Sequence, residues 1–295
     1  MGIIGRILKN PKSILSVGDN LLRGRYNIFS EVRNLLLYFY HLRIKKFCDE
    51  TPILLCTHQK SGTHWLMFII YNYFNILKNG AQETLTYDEV HRLQHHKPKY
   101  DDPSVFVPPE PGFPLFFHTH NAYTPVFMFF KVIHLYRNPL DTLISDWHFN
   151  KNRAEPFHKF PGMQEKYMDL DFFVRDRLSK WIWHYNKTVG HADVLISYEA
   201  MKKNVFAEMQ RLFNDLQIEC DGGILQQSIE MSSFTNIKKM GQKTGTQSGG
   251  GELIKKHTGE FTRSGEMKQY LSLLSEETLV YARQMLKANN IELDI

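Results

Sequence analysis

Cysteine is scarce in this 295-residue chain: three occur, Cys48, Cys56 and Cys220, far apart and odd in number. That excludes a disulfide framework and a cysteine-based zinc ribbon, and it favours a reducing, cytoplasmic setting. Long apolar runs are missing too. The longest near the start, "LLLYFY" at residues 35–40, falls far short of the roughly 20 residues a membrane span needs, and no secretory signal is evident. The Met-Gly opening carries Arg6 where a myristoylation signal has Ser or Thr. Charge of one sign is also in short supply. A net charge of +5 argues against a nucleic-acid partner and suits a small anionic ligand. The basic segment 1–47 reads as helical and packed on the domain, with peripheral contact to acidic lipid as the alternative.

What is present is an ordinary globular composition, 42% hydrophobic and 23% charged. Short apolar runs alternate with helical stretches. Residues 52–58, 114–120, 129–137 and 192–198 read as buried strands, and 62–77 and 199–216 read as helices. Asn138 is placed to cap a helix that begins at Pro139. Continuous apolar strands between helices predict an α/β fold, one central parallel sheet flanked by helices, in a single globular domain over 48–295. Two stretches break the pattern. Residues 96–114 hold six prolines and read as an extended surface loop, and the Gly-rich residues 241–251 are expected to be mobile.

The stretch "CTHQKSGTHW" (56–65) joins the first strand to its helix. Gly62, with the small Ser61 and Thr63, lets backbone N–H groups converge on an anion at a helix start, and Lys60 adds a full charge. A nucleotide triphosphatase loop has Lys followed directly by Ser or Thr after its last glycine; here Lys60 precedes Gly62. A second turn, "YRNPLDTLISDWHF" (136–149), ends a strand at Arg137 and carries Ser145 on the next helix. Guanidinium and hydroxyl together suit a phosphate, though Arg137 paired with Asp141 as a structural ion pair is the plain alternative. Trp65 and Tyr198 are available to stack on a base. Together these describe a nucleotide with phosphates at both ends of its ribose.

At these residues the chain resembles the cytosolic-type sulfotransferase family, whose donor is 3'-phosphoadenosine 5'-phosphosulfate. The family's first loop commonly reads Tyr-Pro-Lys-Ser-Gly-Thr-Thr-Trp, against "HQKSGTHW" here. Its second signature corresponds to Arg137, Asn138, Asp141 and Ser145. "WIWHYNKTVGHADVLISYEAMKKN" resembles its Trp-containing helix, strand and Tyr-Glu-x-Met-Lys turn. The resemblance implies a sulfotransferase fold, related to nucleotide kinases, with a P-loop-like strand-loop-helix. It implies that Lys60, Ser61, Gly62, Thr63, His64 and Trp65 hold the 5'-phosphosulfate side, and Arg137 with Ser145 the 3'-phosphate. No metal is required. The product is adenosine 3',5'-bisphosphate.

The acceptor must lose a proton as it attacks sulfur, and a neutral histidine at a strand end is a natural base. "FHTHN" offers His118 and His120, which strand alternation directs to one face. The family's Lys-Thr-His motif matches His120 as the base, and its lysine is replaced by His118. Lys60 then carries more of the charge developing on the bridging oxygen. Phe117, His118 and Trp147 are candidates to line the acceptor site. In the C-terminal third, Ser232 and Phe234 match a segment beside the adenine. Arg263, Ser264 and Gly265 match a shortened form of the family's last donor motif, and residues 241–260 are a candidate lid.

Two rival readings remain at this level. A metal-dependent hydrolase could use the His118/His120 or His91/His95 spacings. A catalytically silent nucleotide-binding protein would keep the donor site without the base. The expected acceptor is a small molecule, lipid or glycan presenting a hydroxyl or amine. The family's dimerisation signature is not recognisable, which leaves the oligomeric state open.

Overall fold

The run "ILLC" is apolar without alternation, and with Thr57 it forms a strand covered on both faces: β1 (Ile53–Thr57) is buried at every position. β2 (Phe116–Thr119), β3 (Lys131–Tyr136) and β4 (Val194–Ser197) join it in a four-stranded sheet of order β2-β1-β3-β4, every pairing parallel. The computed structural model describes residues 51–80, 83–93, 112–153, 155–237, 239 and 265–293. The N-terminal segment 1–47, residues 96–111, the stretch 241–260, His95, Arg263 and Ser264 lie outside the described residues, and the side chain of His91 does too.

Helices cover both faces, as the alternation of runs predicts. Ile53 and Leu55 of β1, Ile133 and Leu135 of β3 and Ile196 of β4 face α1 (Thr63–Asn79) and α2 (Tyr87–Leu93). Leu54 and Cys56 point the other way, onto Phe117, Phe127, Phe130 and Val132. On that side α3 (Pro139–Lys151) and α4 (Leu170–Val189) form a further cluster through Leu140, Ile144, Leu178 and Trp181. Asn138 accepts from the Leu140 and Asp141 N–H groups and so caps α3, with Pro139 in its first turn, as its place in the sequence predicts.

β2 and β4 each begin two residues later than the sequence reading has them, and two further boundaries differ with a visible cause. β3 begins at Lys131, because Pro125–Phe129 closes a 3₁₀ turn that buries Phe127. The single helix expected over 199–216 is two, α5 (Tyr198–Lys203) and α6 (Val205–Asp215). Asn204 separates them with an extended φ of −155°, and its side chain accepts from the Ala207 N–H instead of continuing the helix. Three further helices follow, α7 (Gly222–Met231) and, after residue 265, α8 (Tyr270–Leu273) and α9 (Glu276–Ala288).

The strand order places the site. From β1 the chain goes to β2 on one side and later to β3 on the other, so the connections diverge between β1 and β3. In open parallel sheets a ligand crevice opens at that point, beyond the carboxyl ends of the strands. Register pairs Thr57 with Leu135, so the turns after β1 and β3 leave the sheet side by side.

Candidate functional site

The turn after β1 is held in a shape few residues adopt. Lys60 has φ +68° and Gly62 φ +96°. A Cβ at Gly62 would come within 2.6 Å of the Tyr198 ring, so only glycine lets the loop lie on that ring. Ser61 is fully buried, and its Oγ has no hydrogen-bond partner among the described residues. Thr63 Oγ1 lies 2.9 Å from Thr57 Oγ1. No side chain caps the start of α1, and its first turn contains no acid. The positive end of a 17-residue helix therefore faces the loop uncompensated by a side-chain cap or acid there.

The turn after β3 supplies a buried cation. Arg137 is 5% exposed, donates Nη2–H to the Glu266 carbonyl at 2.7 Å, and lies 4.4 Å from the centroid of the Tyr198 ring. Its Nε has no partner among the described residues. Asp141, the acid a structural ion pair would use, instead accepts from the Lys268 and Gln269 N–H groups at 2.7 and 2.9 Å. Ser145 is half-buried in the second turn of α3.

One ring organises this half of the site. Tyr198 lies against Gly62 and Arg137, meets Trp65 edge-on at 5.6 Å, and donates its hydroxyl to the Gly265 carbonyl at 2.9 Å. Burial raises its pKa, and Arg137 partly opposes that shift. Gly265 in turn has φ +65° and space for a Cβ only 3.3 Å from Phe234, which is itself partly exposed. Ser232 sits deeper: it is fully buried and accepts from Asn72 Nδ2 at 2.9 Å. The His64 ring packs on Tyr87 at 5.9 Å.

Beside β2, the His118 and His120 rings meet edge-on, centroids 4.4 Å apart, and both reach the Thr57 hydroxyl, at 3.3 Å from His118 Nε2 and 3.1 Å from His120 Nδ1. His120 Nδ1 also lies 3.0 Å from the Thr57 carbonyl oxygen. A carbonyl only accepts, so Nδ1 carries the proton and Nε2 is the basic nitrogen of the neutral ring. His120 is exposed while its partner Thr57 is fully buried, which fixes one edge of the ring and turns the other outward. Phe117, packed on Phe130 at 5.4 Å, belongs to the core below. Trp147 belongs to another core cluster and donates Nε1–H to the Tyr167 carbonyl at 2.8 Å.

Sequence reasoning passed over two groups. His58, His134 and His184 stand together behind the histidine pair, His184 at 5.5 Å from His58 and 5.7 Å from His134 between centroids. Burial lowers all three pKa values, that of His134 to about 4, so they are held neutral. The second group follows α3. Lys60 Nζ lies 4.3 Å from the centroid of the Phe149 ring, and the Arg153 guanidinium lies 4.6 Å from the same centroid. The interleaved bases and aromatics of "HFNKNRAEPFHKF" (148–160) were the available signal. Among the described residues, no three of His, Cys, Asp or Glu are arranged to hold a metal ion, and no helix is long and apolar enough to cross a membrane.

Residues 50–290 match the family model described as a sulfotransferase domain. An amine sulfotransferase from Oryctolagus cuniculus is 25% identical over 230 residues, 73% of each chain. Sulfotransferase 1B1 from Canis lupus familiaris is 25% identical over 244 residues, 78% of each. Among solved structures, retinol dehydratase in complex with androsterone and the inactive cofactor PAP superposes with a TM-score of 0.60 at 18% identity, covering 83% of this chain and 82% of its own. Mouse sulfotransferase SULT7A1 complexed with PAP gives 0.51 at 19%, covering 81% and 83%. The fold, the loop with its lysine ahead of the glycine and a match spanning nearly the whole described chain agree: this chain belongs to the sulfotransferase family, enzymes that transfer a sulfuryl group from 3'-phosphoadenosine 5'-phosphosulfate.

Proposed function

We propose that the protein transfers the sulfuryl group of 3'-phosphoadenosine 5'-phosphosulfate to a hydroxyl or amine of a small-molecule, lipid or glycan acceptor in the cytoplasm, with His120 as general base. The observation that carries the donor half is the pair of buried polar atoms, Ser61 Oγ and Arg137 Nε, that lie on adjacent turns without a hydrogen-bond partner among the described residues. Glu199 lies near Arg137 but makes no ion pair with it among the described residues, and a buried guanidinium left so is costly unless an anion completes it; here the open atoms fit a nucleotide that is phosphorylated at both ends. The mixed phosphoric-sulfuric anhydride of the donor supplies the activated sulfur.

Ser61, Thr63 and the first N–H groups of α1 would hold the 5' end, and Arg137 with Ser145 the 3'-phosphate. Arg263 and Ser264 are assigned to that same end by the family motif alone. Trp65, Phe234 and Gly265 border the base, and Tyr198 acts from beneath by fixing Gly62, Arg137 and Gly265 around its ring. Ser232 supports this wall through Asn72, and His64 contributes its backbone N–H at the helix start.

His120, held at Nδ1 by the Thr57 carbonyl, takes the acceptor's proton at Nε2. Lys60 neutralises charge on the departing bridging oxygen. His118 braces His120 and the Thr57 hydroxyl, while Phe117 and Trp147 shape the acceptor side from within the core.

The test is transfer of ³⁵S from labelled donor to a panel of phenols, alcohols and amines. Wild-type protein should label at least one acceptor. His120→Ala should lose about 10²–10⁴-fold in rate while binding adenosine 3',5'-bisphosphate about as well as wild type. Undiminished transfer by His120→Ala would remove His120 from the mechanism.

A further inference from the structure

The segment after α3 gathers positive charge beside the proposed transfer site. Lys60 and Arg153 share the Phe149 ring, so their charges stand no more than about 9 Å apart, the length of a small aromatic acceptor. Arg153 Nη1 donates to His158 Nε2 at 3.2 Å, and His158 Nδ1 donates to the Glu155 carbonyl at 3.3 Å. That contact leaves the rest of the guanidinium to other partners. Arg153 Nε is buried and has no partner among the described residues, and the same is true of Arg177 Nε nearby on α4.

Among the described residues, the acids that act on Arg153 and its neighbour Lys159 do not balance them. Asp146 is buried on α3 and accepts from Asn150 Nδ2 at 3.0 Å. Its pull on Arg153 and Lys159 is outweighed by burial: the pKa of each is lowered, and Arg153 lowers that of Lys159 further by repulsion. Arg177 faces the same region, where it opposes protonation of His58 while Asp146 favours it. Asp176 is engaged by the Tyr167 hydroxyl at 2.5 Å, and Glu155 is exposed. Among the described residues, Arg153 and Lys159 against Asp146 leave a surplus of positive charge that is partly desolvated. Such a surplus is relieved when an anion enters.

We propose that the acceptor carries an oxyanion of its own, held by Arg153 and Lys159, while its hydroxyl or amine faces His120. This rests on the sulfotransferase reading and narrows its acceptor to anionic molecules. Fixing the anion at one end would orient the nucleophile at the other, so the cluster selects substrate and takes no part in the chemistry.

The experiment compares matched acids and esters: 4-hydroxybenzoate, 4-aminobenzoate and 6-hydroxyhexanoate, each against its methyl ester. Binding is measured by calorimetry with adenosine 3',5'-bisphosphate present. The acid should bind about tenfold or more tightly than its ester in at least one pair. Arg153→Gln should remove that preference while leaving nucleotide affinity within about twofold, which also reports that the variant is folded. Esters binding as well as acids in every pair would overturn the proposal. So would a preference that survives both Arg153→Gln and Lys159→Gln. Nucleotide binding is read in the same titrations. Its absence would count against the donor reading, while the acid–ester comparison would still judge the basic cluster.

Discussion

The turns after β1 and β3 leave the sheet side by side, and the segment after α3 adjoins them where Lys60 and Arg153 share the Phe149 ring, but they are built in different ways. The turns are locked: Gly62 lies on Tyr198, Tyr198 bonds Gly265, and Asp141 ties down the Lys268 and Gln269 amides. The segment after α3 instead carries the half-buried Arg153, set over the Phe149 ring, and the exposed Lys159, which it repels. A donor that is the same in every turnover suits the rigid half. An acceptor that distinguishes this enzyme from its relatives suits the half where charge, and not backbone geometry, sets the preference. Changes on the first side should cost donor affinity and stability together; changes on the second should alter selectivity alone.

Lys60 is where that division is tested hardest, since it belongs to the locked loop yet reaches Phe149 on the other side. Lys60→Met should lower turnover by roughly 10²–10³-fold and nucleotide affinity far less, because the proposed mechanism sets its charge against the departing oxygen. Steady-state rates with calorimetric binding would separate the two. An affinity loss as large as the rate loss would make Lys60 a simple donor ligand. Gly62→Ala comes next. The φ of +96° and the 2.6 Å approach to Tyr198 should together cost about 1–3 kcal/mol. That corresponds to roughly 5–150-fold in nucleotide affinity, accompanied by a lower Tm. Unchanged values would mean that the loop does not need to rest on the tyrosine.

Much of this was legible in the sequence, and the reasons are particular. β1 announced itself because both of its faces are buried, which leaves "ILLC" with no polar residue before Thr57 to blur the pattern. The loop was legible because Lys60, Ser61, Gly62 and Thr63 are contiguous. The break at Asn204 was hidden, since one asparagine in a helical run reads equally as interior or cap until its side chain is seen on Ala207. Tyr198 was marked as a base-stacking candidate; its place beneath Gly62 and Arg137 depends on β4 delivering it beside β1 and β3, which no local pattern encodes. The histidines at 58, 134 and 184 come from three separate elements and meet only in the folded chain.

Those buried histidines yield a smaller effect, felt as acid sensitivity. Folded His134 gains its proton only near pH 4, whereas an unfolded histidine gains it near 6.5. Between these values the unfolded chain holds the extra proton, so stability falls as pH drops through that window and levels off below it. At pH 5 the loss from His134 alone should be about 2 kcal/mol relative to pH 8, read from denaturant midpoints. His134→Asn should flatten the slope even if it lowers stability overall. A slope unchanged in that variant would assign the acid sensitivity elsewhere.

The grip of two adjacent turns on the two phosphates of one nucleotide is tested most directly by titrating wild type and Arg137→Gln with adenosine 3',5'-bisphosphate and with adenosine 5'-monophosphate. Wild type should favour the bisphosphate by roughly 30-fold or more, as expected for a buried charge pair worth at least about 2 kcal/mol, and Arg137→Gln should bind both alike. Equal affinities in wild type, or a preference that persists without Arg137, would contradict the account.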